Sequence, residues 1–192
     1  MWEEAGGGKS RLILWKERDS NNHPNSQRES QMGSGGQLFH RASGRGTSYW
    51  GPGDLYTFLV TGEESGGAYF AMEAVVHSGG GPPWHIHQHE NETFYVLEGT
   101  CTFCLGDETI LACPGDFVNI PVGVKHYFHN HGPEPTRLIL TFTPAGIEKF
   151  FEETLEVTTD TTQAPPDNIA EVSARYAEAA PRYGMQFFID EE

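Results

Sequence analysis

The chain has 192 residues, of which 37% are hydrophobic and 12% aromatic, enough for one domain with a sizeable core. Its formal net charge is −15, and an acidic body repels phosphate backbones and anionic lipid surfaces, so neither nucleic acid nor a membrane is an expected partner. No apolar run approaches the ~20 residues needed to cross a bilayer, and the N-terminus lacks a signal-peptide pattern, so we predict a cytoplasmic protein.

Residues 1–46 are rich in Gly, Ser, Asn, Gln and charged side chains, and this composition predicts a disordered segment. Residues 47–145 hold short apolar runs separated by Gly and Pro turns, a pattern typical of a β-sandwich or β-barrel. The predicted strands cover residues 56–61, 68–77, 85–87, 93–98, 101–105, 109–112, 116–120, 126–130 and 136–143. On the strand 68–77 the even-numbered positions are predicted to face inward, because they are all apolar.

The hydrophobic period changes after residue 145, and residues 146–192 are predicted to form a C-terminal helical extension. Four apolar side chains recur on one face of the first predicted helix: Ile147, Phe150, Phe151 and Leu155. A second helix is predicted to begin after Asp167 as N-cap and to run to about Ala179, with Pro181 ending it. The apolar tail 185–189 is expected to dock on the barrel or on a partner subunit.

Three histidines and one glutamate lie on two separate parts of the predicted sheet. His85 and His87 are two apart on one strand, so both side chains project to the same face. Glu92 follows after a short turn, and His126 comes from a distant strand. Imidazole and carboxylate ligands suit Fe, Ni, Cu, Zn, Mn or Co. The set therefore predicts one site for a divalent transition metal, whose identity stays open.

Two glycine-framed motifs surround these residues. They read Gly79-x5-His85-x-His87-x4-Glu92-x6-Gly99 and Gly115-x5-Pro121-x-Gly123-x2-His126-x3-Asn130. At every position they resemble the two motifs of the cupin superfamily. The resemblance implies an all-β fold, a single jelly-roll β-barrel here followed by C-terminal helices, with a metal inside. It implies four metal ligands: His85, His87, Glu92 and His126. The six-residue gap before Gly99 favours Glu92 over Glu90 as the carboxylate.

The segments 143–151 and 181–185 resemble those of bacterial monocupin quercetin 2,3-dioxygenases and their uncharacterised relatives. That resemblance implies a metal-dependent dioxygenase that opens a ring of a flavonol such as quercetin with O2 and releases carbon monoxide. Glu92 would then be catalytic, as a metal ligand and as the base that takes the proton of the substrate's 3-hydroxyl. Two alternatives stay open: another small-molecule cupin enzyme, such as an isomerase or a decarboxylase, and a non-catalytic cupin that binds a metal or ligand.

An apolar pocket lined by aromatic side chains would suit a planar flavonol or related phenolic. The candidates for its lining, each of which also fits a packed core, are Phe70, Met72, Trp84, Phe94, Phe103, Phe117, Phe128 and Phe142. Exposed strand edges and the apolar tail favour a homodimer.

Overall fold

The computed structural model describes residues 36–188, so most of the segment predicted to be disordered lies outside the described residues. The strands are β1 Ser48–Trp50, β2 Leu55–Val60, β3 Phe70–Val76, β4 Trp84–His87, β5 Asn91–Glu98, β6 Cys101–Leu105, β7 Glu108–Ala112, β8 Phe117–Ile120, β9 His126–His129, β10 Thr136–Thr143, β11 Glu156–Thr158 and β12 Met185–Phe188. The helices are α1 Gly62–Ser65, α2 Glu148–Thr154 and α3 Ile169–Ala179. No helix within residues 36–188 is long and apolar enough to span a membrane.

Two antiparallel sheets form the fold. One has seven strands in the order β11-β1-β2-β3-β10-β5-β8, and the other has five in the order β12-β4-β9-β6-β7. The all-β jelly roll is therefore confirmed. The closed barrel is corrected, because no strand pair between residues 36 and 188 joins the two sheets by hydrogen bonds.

The core lies between the sheets and follows the two-residue period of the strands. Every even-numbered residue of β3 is buried, as predicted, and so are Leu138, Leu140 and Phe142 on β10. Phe70 and Phe142 stack with ring centroids 5.7 Å apart, because their strands are register partners at that point. Each such fully buried aromatic side chain contributes about 1.5–3 kcal/mol relative to an exposed one. This packing gives the facing sheets a rigid interior.

The C-terminal part of the chain is not purely helical. Helix α2 begins at Glu148 and buries Phe150 and Phe151, as its period predicts. The predicted cap of α3 is wrong, since Asn168 precedes the helix and makes no side-chain capping bond. Between α2 and α3, strand β11 joins the large sheet by pairing with β1. After α3, strand β12 pairs with β4 in the small sheet. The docking of the apolar tail is thus confirmed for Met185–Phe188, as a strand. The cytoplasmic location and the homodimer stay predictions.

Candidate metal centre

The four predicted ligands meet between the sheets. His85 and His87 occupy the inward positions of β4, and Glu92 is the second residue of β5. His126 begins β9, directly opposite His85 in the strand register. All four side chains are buried, with 3% exposure at most, and one donor atom from each lies within 4.8 Å of the others.

Two backbone carbonyls fix the orientation of the imidazoles. His85 Nδ1 lies 2.9 Å from the Pro83 carbonyl oxygen, and His126 Nδ1 lies 2.9 Å from that of Val124. Because a carbonyl only accepts, both Nδ1 atoms carry a proton and donate it. This leaves Nε2 of each ring as the atom that can bind a metal, the usual arrangement for a ligating histidine.

Glu92 is the electrostatic centre of the cluster. Its Oε2 lies 2.9 Å from His126 Nε2 and 3.4 Å from His87 Nε2. Burial alone would raise the pKa of the Glu92 carboxyl, but hydrogen bonds from His126 and His87 outweigh burial and lower it. The same contact raises the pKa of His126 against the opposing effect of its own burial.

His85 behaves differently from His126. Burial, followed by repulsion from His126 and His87, lowers the pKa of His85 well below its ordinary value. A buried neutral imidazole has a free lone pair, which is the form that binds a metal.

The donor set fits one divalent transition metal. Metal–ligand bonds of about 2.0–2.2 Å put neighbouring donor atoms on one ion roughly 2.8–3.6 Å apart. The contacts of Glu92 Oε2 with His126 Nε2, at 2.9 Å, and with His87 Nε2, at 3.4 Å, already lie in that range. Three imidazoles and one carboxylate are also ligands that such ions prefer. His85, His87, Glu92 and His126 would hold it.

Glu90, the competing carboxylate, lies behind His87. Its Oε2 is 3.9 Å from His87 Nδ1, and both atoms are buried without a hydrogen-bond partner among the described residues. Burial raises the pKa of Glu90. Its position suits a residue that steadies the His87 ring from the side away from the other ligands.

The remaining histidines near the motifs lie towards the surface. His89 and His131 are exposed, and His129 is half-buried and stacks on His131 with ring centroids 4.2 Å apart. The structure does not bring any of these three into the ligand cluster.

A small cavity of about 40 Å³, here called the inner cavity, opens on the cluster. Of the predicted pocket residues, Met72, Phe128 and Phe142 line it. The others do not: Phe70, Phe94 and Phe103 lie in the packed core, Trp84 packs on Tyr127, and Phe117 is 64% exposed on the outer face. The lining residues that sequence reasoning missed are Tyr56, Pro82, Leu140, Phe151, Tyr176, Met185 and Phe187.

A jelly roll with a buried three-histidine, one-glutamate cluster between its sheets defines a cupin-type metal centre. The comparison with protein families agrees, since the model described as "Cupin domain" matches residues 72–142. Residues 72–142 of the chain are thus a cupin domain.

Curated relatives give the family more detail. Over 142 residues the chain is 32% identical to quercetin 2,3-dioxygenase of Bacillus subtilis, a match that covers 72% of this chain and 41% of that protein. It is 33% identical over 76 residues to mannose-1-phosphate guanylyltransferase 2 of Escherichia coli O157:H7, covering 40% of this chain and 16% of that protein. The chain thus spans less than half the length of either relative.

Among solved structures, a predicted oxalate decarboxylase from Thermotoga maritima superimposes with a TM-score of 0.50 at 18% identity. The superposition covers 56% of this chain and 99% of that one. It supports the fold.

Proposed function

We propose that the protein is a metal-dependent dioxygenase that opens the ring of a flavonol, such as quercetin, or of a related phenolic with O2. One observation carries the proposal: the buried ligand cluster opens on a cavity whose lining is aromatic and carries no lysine or arginine among the described residues. The similarity to quercetin 2,3-dioxygenase of Bacillus subtilis supports the same reaction class.

The roles of the cluster follow from its charges. A divalent ion, when bound, would supply Lewis acidity that lowers the pKa of a substrate hydroxyl. Glu92 is ionised, so its carboxylate can accept the proton of that hydroxyl. His85 and His126 keep their Nε2 atoms directed inward through their backbone contacts, which fixes where the substrate oxygen sits relative to Glu92.

The lining of the inner cavity favours a neutral aromatic substrate. Phe128 and Phe142 offer flat apolar faces, and Met72 adds a further apolar contact. A sugar phosphate or a dicarboxylate would have only the bound metal ion to offset its charge, because no lysine or arginine lines the inner cavity among the described residues. This argues against an isomerase or a decarboxylase of such an anion.

A second candidate function rests on the size of the inner cavity. Its volume of about 40 Å³ is on the order of one water molecule. A cupin that holds a metal without turning over a substrate would need no larger space. The two candidates make opposite predictions in one assay.

The assay loads purified protein separately with Ni, Co, Mn, Fe, Cu and Zn and mixes each preparation with quercetin in air. We expect loss of the flavonol absorbance together with oxygen uptake and carbon monoxide release for at least one metal. Tight metal binding with no bleaching by any of the six preparations would reject the dioxygenase and leave the non-catalytic cupin.

A further inference from the structure

A second and larger cavity lies next to the inner one. This outer cavity has a volume of about 290 Å³ and lies between the 79–83 loop and helix α3. The two cavities share four lining residues: Tyr56, Pro82, Tyr176 and Phe187. A ligand that passes between these side chains can therefore touch both the metal cluster and the outer cavity.

The volumes show that neither cavity suffices alone for a flavonol at the metal. Sites for drug-sized ligands have volumes of about 300–1,000 Å³. The inner cavity, at about 40 Å³, has room for little more than the oxygen-bearing edge of such a molecule. The outer cavity alone, at about 290 Å³, lies close to the lower end of that range but is not lined by any of the metal ligands, and the two cavities together reach that lower end. The rest of the substrate has to occupy the outer cavity.

The shared wall is aromatic and has one unsatisfied polar atom. Phe187 lies between the two regions, with its ring centroid 5.7 Å from that of His85 and 6.1 Å from that of Tyr176. Tyr176 is only 8% exposed, and its hydroxyl has no hydrogen-bond partner among the described residues. The Thr154 side chain lies close enough to interact with Tyr176, but its own proton goes to the Phe150 carbonyl oxygen, 2.7 Å away. A buried hydroxyl without a partner is unfavourable unless a ligand satisfies it.

The charges in the outer cavity restrict the ligand further. Its lining includes no lysine or arginine among the described residues, so an anion lacks a counter-charge. Asp54 is its one acidic side chain, and both carboxylate oxygens already accept backbone N–H groups, from His77 at 2.9 Å and Gly81 at 3.1 Å. A neutral aromatic group with an oxygen at its edge fits this lining best.

We propose that the outer cavity is the subsite for the aromatic ring that a flavonol carries away from its metal-binding oxygens, with the Tyr176 hydroxyl as hydrogen-bond donor. This rests on the proposed function for the substrate class. The occupant is a neutral, two-part aromatic molecule, one part at the metal cluster and the other against Tyr176 and Phe187.

The test measures binding, not turnover, by calorimetric titration of the full chain with and without metal. The probes are quercetin and 3-hydroxychromone, which keeps the oxygens for the metal but lacks the phenyl ring. Ser173→Trp fills the outer cavity from an exposed position on α3 that does not line the inner one. Ala174→Trp, on the same helix but outside both linings, is the matched control.

We expect the wild type to bind quercetin about tenfold or more tightly than 3-hydroxychromone, because the phenyl ring buries apolar surface. Ser173→Trp should abolish that preference and Ala174→Trp should keep it. Tyr176→Phe, which keeps the ring, should weaken quercetin binding about fivefold. Equal affinity for the two probes in the wild type, or an unchanged preference in Ser173→Trp, would overturn the subsite.

Turnover is recorded separately, so the two proposals can fail independently. A preference for quercetin that Ser173→Trp abolishes, with no oxygen uptake for any metal, keeps the subsite and rejects the dioxygenase. Quercetin cleavage without that preference keeps the dioxygenase and rejects the subsite.

Discussion

The inner and outer cavities are built from different kinds of sequence information. The inner cavity takes its chemistry from strands β4, β5 and β9, where four ligands occupy fixed inward positions. The walls of the outer cavity come from the 79–83 loop, α3 and β12. The loop and β12 lie over a hundred residues apart in the chain. Strand register thus sets the metal ligands, and under the proposed subsite the C-terminal segment would select the substrate.

The largest effect should come from a ligand. His85→Ala should weaken metal binding by more than about 100-fold, since even residues that only support a ligand change affinity 10–100-fold. His89→Ala, the same substitution at an exposed position four residues on, should leave it unchanged. Metal content after dialysis against a chelator of known affinity measures both. Equal losses in the two variants would contradict the assignment of the cluster.

Glu92→Gln separates the role of base from that of ligand. The amide keeps an oxygen that can face the metal but cannot take a proton, so kcat should fall about 10²–10⁴-fold while much of the metal is retained. Glu98→Gln, at the exposed far end of the same strand, is the matched control and should leave kcat unchanged. Full activity in Glu92→Gln, measured as oxygen uptake with quercetin, would refute Glu92 as the base.

The common direction of His85 and His87 could be predicted from the sequence because it is local, whereas the grouping of Glu92 and His126 with them was implied by the resemblance to the cupin motifs and is brought together by the fold. Two histidines separated by one residue share a strand face whatever the rest of the fold does. The lining aromatics could not, because Phe70 and Phe142 are both inward and stacked on neighbouring strands, yet only Phe142 reaches the cavity. Whether an inward aromatic side chain lines the cavity depends on its distance along the strand from the ligand cluster. The two-residue period of a strand gives the face of each side chain but not that distance.

The long-range strand pairings also could not be predicted from the sequence. The apolar pattern of the tail predicted docking, but nothing local shows that Phe187 pairs opposite His85 on β4. Strands β1 and β11 have only three residues each, too few for alternation to show. The closed barrel was implied by the resemblance to cupins, and the sequence could not correct it because strand number and turns do not tell a closed sheet from two open ones.

The C-terminal segment should be integral to the fold if it forms the outer cavity. Phe150 is fully buried and packs edge-on against Tyr176, with ring centroids 4.7 Å apart. Phe150→Ala should therefore lower the free energy of unfolding by about 3–5 kcal/mol. Phe117→Ala, at an exposed position, should change it by about 0.5 kcal/mol or less. Urea unfolding measures both, and a loss below about 1 kcal/mol for Phe150→Ala would show a loosely attached segment.

The last test concerns Asp54, where the outer cavity meets the core. Burial, opposed by its two backbone hydrogen bonds, raises the pKa of Asp54 from 3.8 to about 7. A carboxyl whose folded pKa lies above its unfolded pKa stabilises the fold fully below pH 3.8. That stabilisation is lost as the pH rises to about 7, by at most about 4 kcal/mol.

Asp54→Asn cannot ionise, so it should flatten the fall in unfolding free energy between pH 4 and pH 7. Its absolute stability at pH 4 should be lower than that of the wild type, because an amide accepts through one oxygen where the carboxyl accepts through two. Only the slope therefore tests the raised pKa. Urea unfolding at pH 4, 5.5 and 7 gives the slope for both proteins. Parallel curves would mean that Asp54 is ionised throughout this range and that the outer cavity admits enough water to solvate it.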